Sequence, residues 1–420
     1  MKILWLTNNI MPYPASKLGL NPSCFGGWLL SLMDEISSCK DIELAIATVY
    51  DCDDLIEFND GKIKYFLVPG KLDYKYYTKT EEYFKKLDKV FNADIVHLQG
   101  SEFYHGLAYL NALPNKKSIL SVQGLVSICG REFLGGMTEK EIKTNITFRD
   151  IIKRDNLQQM QKKYLIRGKY EKNIIEKVNY VLGRTNWDYN NVLAINPNIK
   201  YFKNNESLRS LFYNHKWNIN EIEEHSIFVS QASQPLKGIH MLLKALPIIK
   251  EKYNDVKVYV GGPNIIKSDS IIEKLKLSGY GKYLKNLIDE NNINDNVIFL
   301  GMLDENEMIN RLLKSNVFVL PSKIENSSNS LCEAMLLGLP CVASYVGGNP
   351  DMMLHDKEGY LYSFDDYQTL AQQVIKLFED KDLCLEFSKN AREKSLQRND
   401  LNTNVNTLYK IYKQLMKEKW

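Results

Sequence analysis

Residues 226–252 have the sequence SIFVSQASQPLKGIHMLLKALPIIKEK, a short apolar run followed by a longer amphipathic one. The first part, 226–231, predicts a strand that is covered on both faces, because its apolar residues follow one another without alternation. In 237–252, apolar residues recur at helical spacings; they are Ile239, Leu242, Leu243, Leu246 and Ile249. This recurrence predicts a helix with one buried stripe. A strand that leads into such a helix is the repeating unit of a parallel α/β sheet.

The same alternation of strand and helix extends in both directions over nearly the whole chain. Further strands are predicted at 2–7, 42–49, 62–68, 94–99, 118–123, 178–182, 256–260, 296–300, 317–320 and 340–344. Right-handed crossovers between consecutive strands then give parallel sheets. The pattern runs twice, and the break falls near 205–224, where asparagines cluster before a new strand.

These patterns predict an α/β protein of two Rossmann-like domains whose parallel sheets face each other across a cleft. We expect an N-terminal domain at 1–210 and a C-terminal domain at 211–398. The tail, 399–420, has one helical seam of apolar residues, namely Leu401, Val405, Leu408, Tyr412 and Leu415. The seam is too short for a coiled coil. We therefore predict a C-terminal helix that packs back on the protein.

Composition and charge exclude several classes of protein. The chain has 420 residues, and 54 Lys plus Arg against 51 Asp plus Glu give a net charge of +3. Such a balance argues against a general nucleic-acid-binding protein. The seven cysteines include no Cys-x-x-Cys pair, which argues against a disulfide framework and a zinc site and fits a reducing cytosol. Apolar runs are too short for a signal-peptide core or a membrane-spanning helix. We therefore expect a cytoplasmic protein.

The residues that follow each strand are the candidates for chemistry, because ligands bind beyond the carboxyl ends of parallel strands. Lys237 and Gly238 open the helix after strand 226–231, where a lysine can meet a diphosphate at the helix N-terminus. The alternative for Lys237 is a solvated lysine in the first turn. Neither the Gly-x-Gly-x-x-Gly of dinucleotide-binding proteins nor a Walker phosphate loop is present.

The most distinctive stretch is Glu325-Asn-Ser-Ser-Asn-Ser-Leu-Cys-Glu333, which follows strand 317–320 and leads into a helix, 331–337. Its two carboxylates can accept hydrogen bonds from sugar hydroxyls, and amides at the helix start can bind phosphate. This combination suits a phosphorylated, polyhydroxylated ligand. Glu333 has an alternative role, because Ser330-x-x-Glu333 also fits a capping box, in which the glutamate bonds back to the cap residue. Capping does not explain Glu325.

Two shorter motifs lie in the first half of the chain. Gly26 and Gly27 precede a helical run, and glycines at a helix start let backbone N–H groups approach an anion closely. The alternative is a plain loop. Asp51 and Asp53 form the Asp-x-Asp pattern that some metal-dependent sugar transferases use. Because they follow a strand, we favour a solvated turn and predict no metal site.

One series of motifs resembles a known family. Pro321-Ser322, Glu325-x7-Glu333-Ala334-Met335, Gly338-x-Pro340, Ala343-Ser344 and Gly347-Gly348 are similar to the donor site of family 4 glycosyltransferases. These are retaining nucleotide-sugar transferases with the two-domain GT-B fold. Gly26-Gly27, Asp94-Ile-Val-His97 and Lys237-Gly238 match in kind and order, so the resemblance covers nearly the whole chain.

The resemblance implies a role for each matching residue. Glu325 would meet the transferred sugar near the reacting centre, Glu333 would hold the ribose hydroxyls, and Lys237 would contact the diphosphate. The glycine pair would close over the phosphate and the donor sugar; its members are Gly26 and Gly27. The loop whose backbone approaches the phosphates would contain Asn329, Ser330 and Leu331.

The sequence also departs from the family pattern. The arginine that usually precedes the lysine is absent from 230–234, and the Gly-Phe-Gly after the first glutamate is replaced at 326–328. Gln123 stands where a histidine is common. Arg184, after strand 178–182, can supply the missing charge from the first domain; the alternative is an ion pair with Asp188. For His97, at a strand end, a role in the cleft and a structural role remain equal alternatives.

From the resemblance we expect a retaining, metal-independent transferase without a cofactor. It would move a sugar from a nucleoside-diphosphate donor to a hydroxyl of a glycan or lipid-linked glycan, in surface polysaccharide biosynthesis. The alternatives are a nucleotide-sugar epimerase or phosphorylase of the same fold, and a catalytically silent GT-B subunit that supports a partner enzyme. Nine Lys/Arg against four Asp/Glu in 149–177 would allow peripheral contact with the cytoplasmic membrane face; the alternative is a solvated helix face.

Overall fold

The computed structural model describes residues 1–20 and 27–418. The chain divides into two compact units, each built on its own sheet. Unit 1 is assembled from three segments, Met1–Ile128, Lys163–Arg209 and Arg398–Trp420. Unit 2 is assembled from Cys129–Lys162 and Ser210–Gln397. The chain therefore passes between the units four times.

The sheet of unit 1 has eight strands within the described residues. They are β1 (Lys2–Thr7), β2 (Glu43–Tyr50), β3 (Ile56–Asn59), β4 (Lys64–Pro69), β5 (Ile95–Leu98), β6 (Lys117–Ser121), β7 (Tyr180–Gly183) and β8 (Lys200–Lys203). Their order across the sheet is β3-β4-β2-β1-β5-β6-β7-β8. All neighbours are parallel except β3, which runs antiparallel to β4. The expected parallel sheet thus has one antiparallel edge strand.

The sheet of unit 2 has six described strands, and all its neighbours are parallel. They are β9 (Ser226–Val229), β10 (Lys257–Gly261), β11 (Val297–Gly301), β12 (Val317–Leu320), β13 (Cys341–Ser344) and β14 (Tyr360–Tyr362). The order is β11-β10-β9-β12-β13-β14, so the strand order reverses at β9. A ligand crevice in an open α/β sheet lies at such a switch point, beyond the carboxyl ends of the strands.

All eleven predicted strands are present in these two sheets, so the predicted α/β fold class is confirmed. The strands that the sequence analysis missed are β3, β8 and β14, which are all edge strands. β3 and β8 consist of half-buried and exposed residues, and β14 has only three residues. β3 and β8 thus lack the continuous apolar run by which buried strands are recognised, and β14 is too short to show one.

Helices connect and cover the strands. They are α1 (Pro12–Lys17), α2 (Gly27–Ser37), α3 (Lys79–Phe91), α4 (His105–Ala112), α5 (Val126–Glu132), α6 (Glu139–Thr144), α7 (Phe148–Lys153), α8 (Leu157–Lys177), α9 (Asn186–Ile195), α10 (Ile239–Lys252), α11 (Ile271–Lys276), α12 (Gly279–Glu290), α13 (Glu305–Leu313), α14 (Asn329–Leu337), α15 (Asn349–Met352), α16 (Tyr367–Glu379), α17 (Lys381–Arg398) and α18 (Leu401–Lys417). The apolar stripe predicted for α10 is fully buried. No helix among residues 1–20 and 27–418 is long and apolar enough to cross a membrane.

The C-terminal helix α18 packs on the sheet of unit 1, as predicted. Val405, Leu408 and Leu415 lie in the same core as residues of β1 and β2. Tyr412, on the same helical seam, accepts a hydrogen bond from Trp5 Nε1 at 2.9 Å. Both side chains are fully buried, so this bond joins β1 to α18 inside the core.

Residues 129–162 belong to unit 2, whereas the sequence analysis placed them in the first domain. The buried carboxylate of Asp150, in α7, accepts a hydrogen bond from the backbone N–H of Gly279 at the start of α12, at 2.9 Å. The backbone oxygen of Gly135 lies 2.9 Å from His240 Nε2 in α10. These contacts join residues more than a hundred positions apart, so local sequence patterns do not report them.

Within unit 1, a buried glutamate holds the start of α5. Glu171, in α8, accepts hydrogen bonds from the backbone N–H groups of Val126 (2.7 Å) and Ser127 (2.9 Å). The hydroxyls of Ser127 and Ser101 donate to it as well. Burial raises the pKa of the Glu171 carboxyl to about 7, although these hydrogen bonds lower it.

Candidate functional site

The residues that the sequence singled out in the second half meet at the carboxyl ends of β9 and β12. Lys237 ends a short 3₁₀ turn, Pro235–Lys237, just before α10, and Glu325 lies in the loop between β12 and α14. Lys237 Nζ donates to Glu325 Oε1 at 2.7 Å, and Ser322 Oγ donates to the same oxygen at 2.7 Å. The lysine side chain is 25% exposed and the glutamate side chain 13% exposed. The pair is therefore shielded but still open to solvent.

Two glycines fix the backbone around this pair. Gly238 has φ +67°, and a Cβ there would lie 1.7 Å from the carbonyl oxygen of Pro321. Gly347 has φ +53°, and a Cβ there would lie 1.8 Å from the carbonyl oxygen of Glu325. Only glycine is compatible with such a positive φ and such a close approach. The ends of β9, β12 and β13 are thus packed backbone to backbone.

The start of α14 lies next along the chain after Glu325. Ser328 is the N-cap, and its hydroxyl accepts from the backbone N–H of Leu331 at 3.4 Å. Asn329 and Ser330 are the first two helical residues, so α14 begins two residues before the predicted start. Backbone N–H groups in a first helical turn lack intrahelical acceptors and attract anions. The residues Asn329, Ser330 and Leu331 thus form the first turn of α14, and the N–H of Leu331 donates to the Ser328 cap.

Glu333 is the fifth residue of α14 and is buried. The capping-box alternative required Ser330 as the cap residue, and it is wrong because Ser328 takes that place. In a capping box the glutamate is the third residue of the helix, whereas Glu333 is the fifth. Burial of Glu333 consequently needs an explanation other than helix capping.

A second cation lies close to Lys237 and was not singled out from the sequence. The backbone N–H of Lys323 donates to the carbonyl oxygen of Leu236 at 2.8 Å. Lys323 Nζ lies 4.4 Å from the centre of the Phe364 ring and 3.7 Å from Asp365 Oδ2. Its place just after β12 was the available signal, since polar residues after strand ends are the candidates for ligand contact. Lys323 is therefore a further cation of unit 2 whose backbone contacts the turn that carries Lys237.

In unit 1, Arg184 and Gln123 form one buried cluster with Glu206. Arg184 pairs with the Glu206 carboxylate and also donates to the Gln123 carbonyl oxygen at 3.0 Å. Gln123 Nε2 donates to Glu206 Oε1 at 2.8 Å. Burial raises the pKa of the Glu206 carboxyl, and the guanidinium counteracts this shift. The charge of Arg184 is thus compensated inside unit 1.

The sequence analysis gave an ion pair between Arg184 and Asp188 as an alternative. That pair is not formed, because the guanidinium pairs with Glu206 instead. The Asp188 carboxylate accepts from the backbone N–H of Arg184 at 2.8 Å, not from the guanidinium. It also forms a capping box with Thr185 at the start of α9 and accepts a hydrogen bond from the Tyr201 hydroxyl. Asp188 is therefore a helix-capping residue.

His97 lies within β5 and is 1% exposed. Its Nδ1 is 2.5 Å from the hydroxyl oxygen of Tyr412, and its Nε2 is 2.7 Å from Ser121 Oγ. Burial lowers the pKa of the imidazole to about 3, so the ring is neutral at physiological pH. Of the two alternatives for His97, these contacts favour the structural one, because both ring nitrogens are engaged between β5, β6 and α18.

The remaining candidates of the first half lie in unit 1 or outside the described residues. Gly26 is outside the described residues. Gly27 is the first residue of α2, and a Cβ there would lie 3.0 Å from Arg209 Cγ. Asp51 and Asp53 lie in an exposed bend after β2, with Asp51 paired to Lys71 at 3.0 Å, as expected of a solvated turn.

A cavity of about 450 Å³ opens in unit 1 at the carboxyl ends of β1, β2 and β4. Asn8 and Asn9 line it from β1, Thr48 and Tyr50 from β2, and Lys71 from β4. Asn8 Oδ1 is buried without a hydrogen-bond partner among the described residues. The cavity thus has mainly apolar walls and lies at the edge of the sheet where ligands bind.

The segment around the lysine and the two glutamates is similar to a known protein family. Residues 212–394 match the family of glycosyl transferases group 1. The match runs from just after the start of the second segment of unit 2 to α17 and includes Lys237, Glu325 and Glu333.

Parts of the chain are also similar to curated proteins. N-acetyl-alpha-D-glucosaminyl L-malate synthase of Bacillus anthracis is 36% identical over 107 residues, which are 26% of this chain and 28% of that protein. UDP-Gal:alpha-D-GlcNAc-diphosphoundecaprenol alpha-1,3-galactosyltransferase of Escherichia coli is 30% identical over 121 residues, 29% of this chain and 30% of that protein. The chain thus spans under a third of the length of these relatives.

The whole chain superposes on solved structures of the same fold. Sucrose-phosphate synthase from Thermosynechococcus elongatus matches with a TM-score of 0.70 and 16% identity, over 99% of both chains. Together with the two parallel-sheet units, this likeness assigns the chain to the GT-B fold.

Proposed function

We propose that this protein is a retaining glycosyltransferase that moves a sugar from a nucleoside-diphosphate donor to a hydroxyl of a glycan or lipid-linked glycan. The observation that carries this proposal is the 2.7 Å contact between Lys237 and Glu325, beside the start of α14. Both residues lie at the switch point of a parallel sheet, within the segment that matches group 1 glycosyl transferases. A cation, a carboxylate and free helix-end N–H groups are what a sugar diphosphate requires.

Each group has a part in the reaction. As the bond between the anomeric carbon and the diphosphate oxygen breaks, its electron pair stays on that oxygen. Lys237, the N–H groups of Asn329 and Ser330, and Lys323 stabilise the growing negative charge, which is electrostatic catalysis by preorganised donors. Glu325 contacts the transferred sugar, and Glu333 holds the ribose hydroxyls of the donor.

The acceptor hydroxyl attacks the anomeric carbon from the same face, which retains the configuration. Its proton passes to the leaving phosphate oxygen, so charge and atoms balance without a separate base. The protein cations make a divalent metal unnecessary for charge neutralisation.

The proposed class of acceptor is based on the names of the similar curated proteins. One of them is named for transfer to a diphosphoundecaprenol-linked sugar, which is a lipid-linked glycan. We therefore extend the proposal to surface polysaccharide biosynthesis, with the enzyme in the cytoplasm and in peripheral contact with the inner membrane face.

The experiment has two stages. A thermal-shift screen against nucleotide sugars should find one donor that raises the melting temperature, because a ligand at 100 times its Kd adds about 2.7 kcal/mol of stability. That donor is then incubated with lipid-linked and free glycans, with and without EDTA, and products are identified by mass spectrometry and by anomeric configuration in NMR spectra. Transfer in EDTA with retention supports the proposal. Conversion of the donor without any acceptor indicates an epimerase, and donor binding to none of the panel contradicts the proposal.

A further inference from the structure

Two short helices of unit 2, α7 and α11, carry large apolar side chains that face solvent. The two helices contact each other. The exposed fractions run from 58% to 78% in Phe148, Ile151, Ile152, Ile271, Ile272 and Leu275. We call these six residues the α7/α11 surface. The other apolar residues of the described chain that are more than half exposed are Val90, Met302 and Tyr345, which lie on separate segments. A contiguous exposed apolar surface on a folded protein usually marks an interaction site.

The helix α7 has its polar face inward and its apolar face outward. Its Asp150 is buried and accepts a hydrogen bond from the Gly279 N–H at the start of α12, while Phe148, Ile151 and Ile152 are exposed. In a helix that only covers a core, the apolar face is the buried one. The hydrogen bond from the Gly279 N–H to Asp150 fixes this orientation of α7, so its apolar face points outward in the folded unit 2.

Positive charge surrounds the α7/α11 surface. Lys153 and Arg154 at the end of α7, and Lys274 and Lys276 in α11, are exposed. In the described ranges 1–20 and 27–418, none of these four has an ion-pair partner.

Most nearby acids are already neutralised. Asp155 pairs with Arg149 at 2.8 Å, and Glu273 pairs with Lys267 at 2.7 Å. Asp150 is buried, which leaves Asp269 as the exposed acid at this side of α11. The surface thus presents an apolar centre with a net positive border.

We propose that the α7/α11 surface docks the protein on an anionic lipid membrane. The six apolar side chains would enter the boundary between headgroups and acyl chains, and the four cations would contact lipid phosphates. A protein partner is disfavoured by composition, because protein interfaces are enriched in aromatic residues and arginine and depleted in lysine. Here one residue of six is aromatic, and three cations of four are lysines.

This inference deepens the membrane contact in the proposed function and specifies the residues that make it. Docking can be measured without donor or acceptor. A failure to dock would leave the transferase proposal intact, and a failure of transfer would leave the docking surface intact.

The test is sedimentation of the full chain with phosphatidylcholine vesicles, with or without about 30% phosphatidylglycerol. One variant combines Ile151→Ser with Ile271→Ser, and its matched control combines Val90→Ser with Leu385→Ser, two exposed apolar residues on other helices. A charge variant combines Lys274→Glu with Lys276→Glu. Its control combines Lys85→Glu with Lys89→Glu, two exposed lysines of α3 that make the same change in net charge.

We expect the wild type to bind the anionic vesicles at least about 10-fold more tightly than neutral ones, and less tightly at about 0.5 M NaCl. Both α7/α11 variants should lose at least about 10-fold of this binding at unchanged melting temperature, while both controls stay within about 2-fold. Absence of preference for anionic vesicles, or equal losses in variants and controls, overturns the proposal. A concentration-dependent dimer in analytical ultracentrifugation that Ile151→Ser with Ile271→Ser abolishes would also overturn it, because the surface would then bind a second copy.

Discussion

The ammonium of Lys237 and the carboxylate of Glu325 are joined by a hydrogen bond of 2.7 Å, so each charge is compensated by the other in unit 2. Ser322 donates to the same carboxylate oxygen, and the backbone of Glu325 is held by Gly348, whose N–H donates to its carbonyl at 3.0 Å. A diphosphate that binds here must compete with the carboxylate for the lysine. The two residues therefore act as a coupled pair, and substitutions of either should reveal the coupling.

Glu325→Gln should separate turnover from donor binding. The amide keeps an oxygen for Ser322 and Lys237 but removes the negative charge, which leaves the lysine freer for the diphosphate. We expect kcat to fall at least ~100-fold while the donor KM stays constant or falls. Steady-state kinetics with donor titration measure both, and Glu290→Gln, an exposed glutamate of α12, is the control. A variant with wild-type kcat would remove Glu325 from the reacting centre.

Replacing Lys237 and Lys323 by methionine, one at a time, should show how much each lysine contributes to catalysis. Lys237→Met should lower kcat/KM at least ~100-fold, and Lys323→Met about 10-fold, because preorganised cations contribute a few kcal/mol each to charge stabilisation. Lys250→Met, at the far end of α10, provides the control. If Lys323→Met matches the control, the missing arginine has no substitute at this position.

Glu333→Gln should weaken recognition of the donor ribose. In the proposed role the carboxylate would accept hydrogen bonds from two hydroxyls, whereas an amide has one acceptor oxygen. We expect a several-fold rise in donor KM and loss of discrimination against the 2′-deoxy nucleotide. Calorimetric titration with both nucleoside diphosphates measures this. Ser328→Ala serves for comparison, since loss of the cap should cost ~1 kcal/mol of stability without changing the discrimination. Retained discrimination in Glu333→Gln would rule out the ribose role.

Arg184→Met should destabilise unit 1 and leave donor kinetics nearly unchanged. The substitution leaves the buried Glu206 carboxylate without its counter-charge, which typically costs about 3–5 kcal/mol. Adding Glu206→Gln should restore most of the loss, because no uncompensated charge then remains. Urea denaturation of the two variants checks this. A fall in kcat/KM at unchanged stability would instead make Arg184 a phosphate ligand.

The pH dependence of stability should carry a contribution from Glu171. Its carboxyl has a folded-state pKa of about 7, above its ordinary value of 4.5. The folded state therefore binds more protons than the unfolded state between these values, and stability falls as pH rises through this range. The expected loss is on the order of 3 kcal/mol. Urea denaturation between pH 5 and about 8 should show this slope in the wild type and not in Glu171→Gln, and equal slopes would contradict the assignment.

The sequence predicted the parts of the fold that local patterns encode. Central strands such as β9 and β12 are covered on both faces and therefore show continuous apolar runs, and the stripe of α10 marks its buried face. The edge strand β8, Lys200-Tyr-Phe-Lys203, lacks such a run, because water replaces one neighbour. The place of residues 129–162 depends on long-range hydrogen bonds such as that between Asp150 and Gly279.

In the candidate site, too, the sequence predicted the residues that stand in local motifs and missed the contacts between distant segments. Lys237 and Glu325 were predicted because each stands in a distinctive motif after a strand, and the structure brings them into contact. Lys323 was missed because its proximity to Lys237 depends on a backbone hydrogen bond to Leu236 between different loops. The partner of Arg184 was misassigned because Asp188 is near in sequence, whereas Glu206 is near in space.

The place of α18 in the core of unit 1 has a consequence for biosynthesis. The helix that covers Trp5 and its neighbours is translated after the whole of Ser210–Gln397. At about 5–20 residues per second, the ribosome needs roughly 10–40 s for that stretch. During this time the part of the first sheet that α18 covers stays exposed, while the later unit can already fold. Chaperones that shield nascent chains thus have their longest window on the part of the protein that was made first.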